Sequence, residues 1–293
     1  MKKIIFALMA VLCFAIPAIA DDDHCYLRGD ANGDDQIDPS DISALIDYLL
    51  NGVWPAEPAG EVFTVNGVSF TMIPVEGGTF TMGATKEQED EAKNNEKPAH
   101  EVTLSSYSIG QTEVTQELWE AVMGSNPSIA GTDPQYPVEY VSWTDCLAFI
   151  AELNALTGKN FRLPTEAEWE FAARGGNLSQ GYKYAGSFTL DDVAWYSGNS
   201  DDSIHMVATK APNELGLYDM SGNVNEWCQD NYGSYSADPQ TNPTGPAEGY
   251  GTRIYRGGGW NISNLIQFRV SWRGRGQDDE WGAMNNLGLR LVL

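Results

Sequence analysis

The chain is short of cysteine, histidine and basic residues, and past its first twenty positions it holds no long apolar run. Cysteines stand at 13, 25, 146 and 228, none in a C-x-x-C pair, and none follows Cys228. A thiolate zinc site and a dense disulfide framework are both excluded. Cys146 and Cys228 lie in apolar surroundings and read as small buried hydrophobes. With residues 1–20 removed, Cys25, Cys146 and Cys228 allow at most one disulfide, and which two would pair is open. His24, His100 and His205 are far apart, so no H-x-x-x-H or H-x-x-E-H spacing exists for zinc or a facial iron triad. There is no G-x-S-x-G elbow and no phosphate loop, and Gly257–Gly259 reads as close backbone packing. Lysine and arginine number 17 against 41 acidic residues, a formal charge of −24. Such a chain is repelled by nucleic acid and by anionic membranes, so neither is expected as a partner.

What is present begins with a leader. Lys2 and Lys3 precede the apolar run Ile4–Ala15, too short to span a bilayer, and Ala18-Ile19-Ala20 has the form of a cleavage site. Residues 1–20 therefore read as a signal peptide, and the protein as exported: periplasmic, at the cell surface or secreted. Residues 21–52 hold an oxygen-rich loop. Asp30, Asn32, Asp34, Asp38 and Asp41 fall at loop positions 1, 3, 5, 9 and 12, and Gln36 offers its backbone carbonyl at position 7. Calcium takes six to eight oxygens, and this spacing wraps them around one ion. Ile42, Leu45, Ile46, Leu49 and Leu50 then form one apolar helical stripe, stopped by Asn51-Gly52. Residues 53–61, with Pro55 and Pro58, read as a linker.

From 62 to 293 the elements are short and mixed. Phe70–Gly83 alternates apolar and polar residues around Gly77-Gly78, which predicts a hairpin, and Val102–Ile109 predicts one strand. The charged stretch Glu87–Glu96 predicts an exposed loop. Thr115 caps a helix carrying Leu118, Trp119 and Val122 and ending at Gly124. Ser142 caps a second, with Cys146, Phe149, Ile150 and Leu153 inward and Gly158 after it. Thr165 and Glu168 form a capping box for a third, with Trp169 and Phe171 in the core. The remainder is loop-rich, punctuated by Trp195, Trp227, Trp260, Trp272 and Trp281.

Several of these strings, in this order, resemble the formylglycine-generating enzyme (sulfatase-modifying factor) family across nearly all of 68–293. They are Gly77–Gly83, Glu113-Val-Thr, Pro137–Trp143, Arg162-Leu-Pro-Thr165-Glu-Ala-Glu168-Trp169, Gly216–Trp227, Arg256-Gly-Gly-Gly-Trp260 and Asn286-Leu-Gly-Leu-Arg290. The resemblance implies an irregular α+β fold related to C-type lectins, with small sheets and few helices. It implies calcium at Asp219, Gly222, Val224 and Glu226, where two carboxylates and two backbone carbonyls would ligate. A further family calcium site near Val193–Asp202 is not carried over, because Val193 replaces its leading Asn. The family's copper is held by two cysteines whose places here fall on or near Ile262 and Gln267, so copper is not expected. The family's substrate groove maps onto Trp260–Asn286, with Trp260, Trp272, Arg273, Arg275, Gln277, Asp278, Trp281 and Asn285 as candidate ligand-binding residues. Aromatic, Arg and amide side chains are what recognition surfaces use. Some relatives without the cysteines serve as ligand-binding displays. The Asp30 loop resembles one dockerin repeat, with Asp35 in place of the usual Gly and no second repeat.

The sequence thus points to an exported, calcium-binding, non-catalytic relative that binds a protein, peptide or glycan, or helps assemble a surface. Two alternatives stand beside it: an oxidoreductase of the family with unrecognised chemistry, and a dockerin-borne subunit of an extracellular complex with a cohesin-like partner.

Overall fold

The computed structural model describes residues 60–88, 91–248 and 250–293. The Asp30–Asp41 loop, the leader and most of the linker lie outside the described residues.

Three small sheets, three capped helices, one uncapped helical turn (Leu190–Val193) and short 3-10 turns make up the described unit. The first sheet has the order β1 (Glu61–Val65), β2 (Val68–Val75), β5 (Tyr107–Gly110), all antiparallel. The second places β3 (Gly78–Met82) against β4 (His100–Leu104), with the short β7 (Gln240–Thr241) parallel to β4. The third has the order β10 (Leu287–Leu289), β6 (Asn225–Asn231), β8 (Arg253–Arg256), β9 (Gly274–Gly276), with β10 parallel to β6. Among the described residues no helix is long and apolar enough to cross a membrane.

The helices begin where the sequence supplies caps. Helix α1 (Gln116–Met123) starts at Thr115, whose side chain accepts the Leu118 amide, and stops at Gly124 at φ 77°. Helix α2 (Trp143–Thr157) starts at Ser142 with a capping box to Asp145 and stops at Gly158 at φ 67°. Helix α3 (Glu166–Ala173) starts at Thr165 with the Glu168 box. These side-chain acceptors satisfy amides that have no partner inside the helix, and a left-handed glycine closes α1 and α2 without a Cβ clash, whereas α3 ends at Arg174.

Two strand expectations are corrected. Residues 70–83 do not form one hairpin: β2 pairs with β1 and β5, whereas β3 pairs with β4. Val102–Ile109 is likewise two strands, β4 and β5, in separate sheets. Local alternation reports a strand but not its partner, and here each partner comes from elsewhere in the chain. The stretch 87–96 is also not simply exposed, since Gln88 and Glu96 are buried.

Two large apolar clusters, with two smaller ones around Phe268 and Trp260, fill the unit. One joins α3 (Trp169, Phe171) to β4, β5, β6 and β8 through Val102, Ile109, Cys228 and Ile254. The other packs α1 and α2 on Phe161, Trp227 and β10, with Trp119 and Phe149 stacked at 4.8 Å.

All eight residues of α3 are buried, Glu166, Glu168 and Glu170 included. Each carboxylate meets arginine. Glu166 takes two bonds from Arg273, at 2.6 and 2.7 Å. Glu168 takes two from Arg162, and Glu170 is held by Arg256 and Arg174. Elsewhere Arg269 holds Glu96, and Arg290 holds Glu226. A buried charge is tolerated only when paired and hydrogen-bonded, so these pairs fix how the C-terminal loops lie over α3 and β6.

Candidate functional site

The turn that precedes β6 carries the predicted metal residues. Asp219 adopts a left-handed backbone at φ 59° and is almost fully buried. Its Oδ2 accepts the Ala208 amide at 2.8 Å, while its Oδ1 has no hydrogen-bond partner. Gly222, at φ 126°, approaches Trp195 so closely that a Cβ would lie 2.8 Å from its backbone. Val224 is buried, and its amide points to Glu113 Oε1 at 3.4 Å.

Glu226 stands differently from the expectation. Its oxygens accept Arg290 Nε and Nη2 and the Trp169 indole at 2.7 Å. It is spent on holding the C-terminal strand and the core tryptophan. Glu113, which sequence reasoning passed over, is fully enclosed, and its Oε2 has no partner. Burial, then the charge of Asp219, push the Glu113 carboxyl well above the usual carboxylate range. Burial likewise lifts Asp219 to about 6. Two orphaned carboxylate oxygens in one buried site call for a proton or a cation. Among the described residues no three His, Cys, Asp or Glu side chains stand grouped as a metal site. Any cation here must therefore rely on backbone carbonyls as well.

The predicted ligand face divides into groups. Trp260 is largely buried against Ile204 and Val224, and its indole donates to the Asn285 carbonyl at 3.0 Å. Asn285 also accepts from Asn261, which in turn accepts from Asn286 at 2.6 Å. Trp272 packs on Tyr255, with ring centres 5.9 Å apart, and Arg275 lies over Tyr232. Asp278 is 3.8 Å from Arg253, Gln277 is exposed, and Trp281 is 79% exposed. Arg273 is corrected outright. Its guanidinium is buried on Glu166 and stacks on Tyr235 at 3.8 Å, so its charge is committed inside the fold. Spacing alone does not distinguish an arginine in solvent from one answering a buried glutamate 107 residues away.

Glu139 is a second buried carboxyl missed in the sequence. Its Oε1 accepts the Ile129 and Ala130 amides at 2.5 and 2.8 Å, its Oε2 has no partner, and burial raises it. Ala130 packs on the Trp260 cluster, so this carboxyl lies beside that group. The thiols Cys146 and Cys228 are free, buried and in different apolar clusters. Burial pushes both well above the usual thiol range.

Residues 64–293 match the family model described as the sulfatase-modifying factor enzyme 1-like domain. The chain belongs to this family. It is 34% identical to the chaperone protein LppX of Paenibacillus barcinonensis over 77% of this chain and 90% of that one. It is 34% identical to the formylglycine-generating enzyme of Streptomyces coelicolor over 59% of this chain, and spans 57% of that enzyme. It is 27% identical to the inactive C-alpha-formylglycine-generating enzyme 2 of Bos taurus over 83% of this chain and 92% of that protein. Among solved structures, Treponema denticola variable protein 1 superposes with a TM-score of 0.72 at 33% identity. That match covers 80% of this chain and 99% of the other. The irregular α+β fold expected from the family strings is the fold observed.

Proposed function

We propose that this chain is an exported, calcium-binding member of the family that lacks formylglycine chemistry and acts by binding a ligand or assembling a surface. The observation that carries this reading is the placement of the thiols. Copper(I) of the family's kind needs two neighbouring thiolates. Cys146 and Cys228 are each enclosed in a separate apolar cluster, and no cysteine follows Cys228. Ile262, at one expected cysteine place, packs on the cluster around Phe268. Relatives named as a chaperone and as inactive support a role without oxidation.

The binding face of this proposal is the Trp260–Asn285 group together with the half-buried Trp272 and the exposed Arg275 and Trp281 of the same segment. A protein, peptide or glycan would be its ligand. Calcium belongs to the proposal at the Asp219 turn. Asp219 Oδ1 and Glu113 Oε2 are the available carboxylate oxygens, and the Gly222 and Val224 carbonyls would complete the set. Three carboxylates against one guanidinium leave two negative charges there when all are ionised, which a divalent cation cancels.

Mass spectrometry of a Cys-x-Pro-x-Arg peptide incubated with the protein, copper, calcium and a reductant tests the loss of chemistry. An unchanged peptide, with folding verified, is the expected result. Conversion to formylglycine overturns the reading.

A further inference from the structure

A cleft of about 480 Å³ opens among β4, β7 and the 233–246 segment, with Arg273 the one residue it shares with the face described above. Its wall is rich in hydroxyl and amide groups from Ser234, Ser236, Gln240, Thr241 and Thr244. Asp230, at the end of β6, lines it while being only 4% exposed. Asp230 Oδ2 accepts the Glu166 amide at 2.9 Å. Its Oδ1 has neither a hydrogen bond nor an ion pair with any described residue. The neighbouring carboxylates are all answered: Glu166 by Arg273, Glu168 by Arg162, Glu170 by Arg256 and Arg174. Asp230 alone in this group makes no ion pair; the Arg273 guanidinium, bonded to Glu166, also lines the cleft and favours the ionised Asp230.

We propose that this cleft receives an alkylammonium group, of the kind a lysine side chain bears, with Asp230 as its counter-ion and the hydroxyl and amide wall accepting its remaining N–H bonds. An ammonium is a compact charge with three donors and no need of a planar partner. A guanidinium prefers both oxygens of a carboxylate, and here Oδ2 is already taken by the Glu166 amide. A metal finds no second free carboxylate here, since Glu166, the other acidic residue of the lining, is held by Arg273. The protein's charge of −24 steers cations toward it.

Proton release accompanies this binding. Burial, then the charge of Glu166, hold the Asp230 carboxyl up at about 8. Glu168 adds to this and Arg273 opposes it, while Arg162, Cys228, His100 and Tyr235 complete the titratable and charged surroundings. At neutral pH an incoming ammonium therefore displaces a proton from Asp230. Affinity should rise up to about tenfold per pH unit below pH 8 and level off above it.

Calorimetry with Nα-acetyl-lysine methylamide, in two buffers of different ionisation heat, tests this. The Nε-acetylated form is the neutral control. The expected result is binding of the free amine alone, with release of about one proton near neutrality. Asp230→Asn is expected to weaken it at least tenfold and to flatten its pH dependence, which separates Asp230 from His100. Gln240→Ala, on the wall, should weaken it severalfold and serves if the Asp230 variant does not fold. Equal binding of both probes, no binding of either, an unchanged Asp230→Asn, or calcium producing the same proton release would each overturn the proposal.

Discussion

Arg290 reaches Glu226 with Nε and Nη2, the Gly110 carbonyl with Nη1 and the Tyr218 carbonyl with Nη2 again, so one side chain ties the end of β10 to three distant segments. Removing one partner of such a buried pair leaves an uncompensated charge, which costs about 3–5 kcal/mol. Arg290→Met should lower unfolding stability by about that amount, and Glu226→Gln in the same chain should recover part of it; urea titration of the two variants measures both. Asp230 gives a sign that is opposite to the usual carboxylate. Its folded value, about 8, lies above the ordinary 3.8, so the fold binds the proton more tightly than the unfolded chain. The stability it contributes is complete below about pH 4 and is lost as pH rises toward 8. Relative to wild type, Asp230→Asn should therefore gain stability progressively over that range, read from melting curves at stepped pH. A flat difference would show that Asp230 ionises normally.

At the scale of elements, the helices and the closing loop behave differently. Each helix carries its own start signal, and Thr165 accepts the Glu168 amide at 3.2 Å while Glu168 answers the Thr165 amide at 2.8 Å. Thr165→Ala should cost about 1 kcal/mol, as loss of a cap does. The loop after β8 depends on backbone geometry instead. Gly258 has φ 86°, and a Cβ there would fall 2.6 Å from the buried Phe268 ring. Gly258→Ala combines a left-handed backbone with a clash that the packed ring cannot relieve. It should cost at least about 1–3 kcal/mol and be seen as a lowered denaturation midpoint.

For the whole molecule, the calcium proposal and the orphaned pair Glu113–Asp219 make one prediction. Both carboxyls are raised, so the metal-free fold gains from their protonation at low pH and loses that stability as pH rises through about 6 at Asp219. Calcium should restore it, with a melting temperature that increases with calcium at neutral pH and changes little at pH 4, where protons compete. The measurement needs Asp219→Asn beside wild type, because the Asp30 loop is a second candidate for the ion. A calcium response equal in both proteins would place the ion away from Asp219.

The helices were legible because their determinants are local: Thr115, Ser142 and Thr165 before, Gly124 and Gly158 after, apolar residues at helical spacing between. Cys146, Trp169 and Phe171 are buried as read, for the same reason. The family strings likewise pointed to the α+β fold. What only the tertiary structure decided is long-range. The split of 70–83 and 102–109 between two sheets depends on partners outside each segment. So does the use of Arg273 and Arg290 as internal counter-ions for Glu166 and Glu226. Glu113, Glu139 and Asp230 look like ordinary acidic residues in sequence, because burial and the absence of a partner are properties of the packed chain and not of the residue.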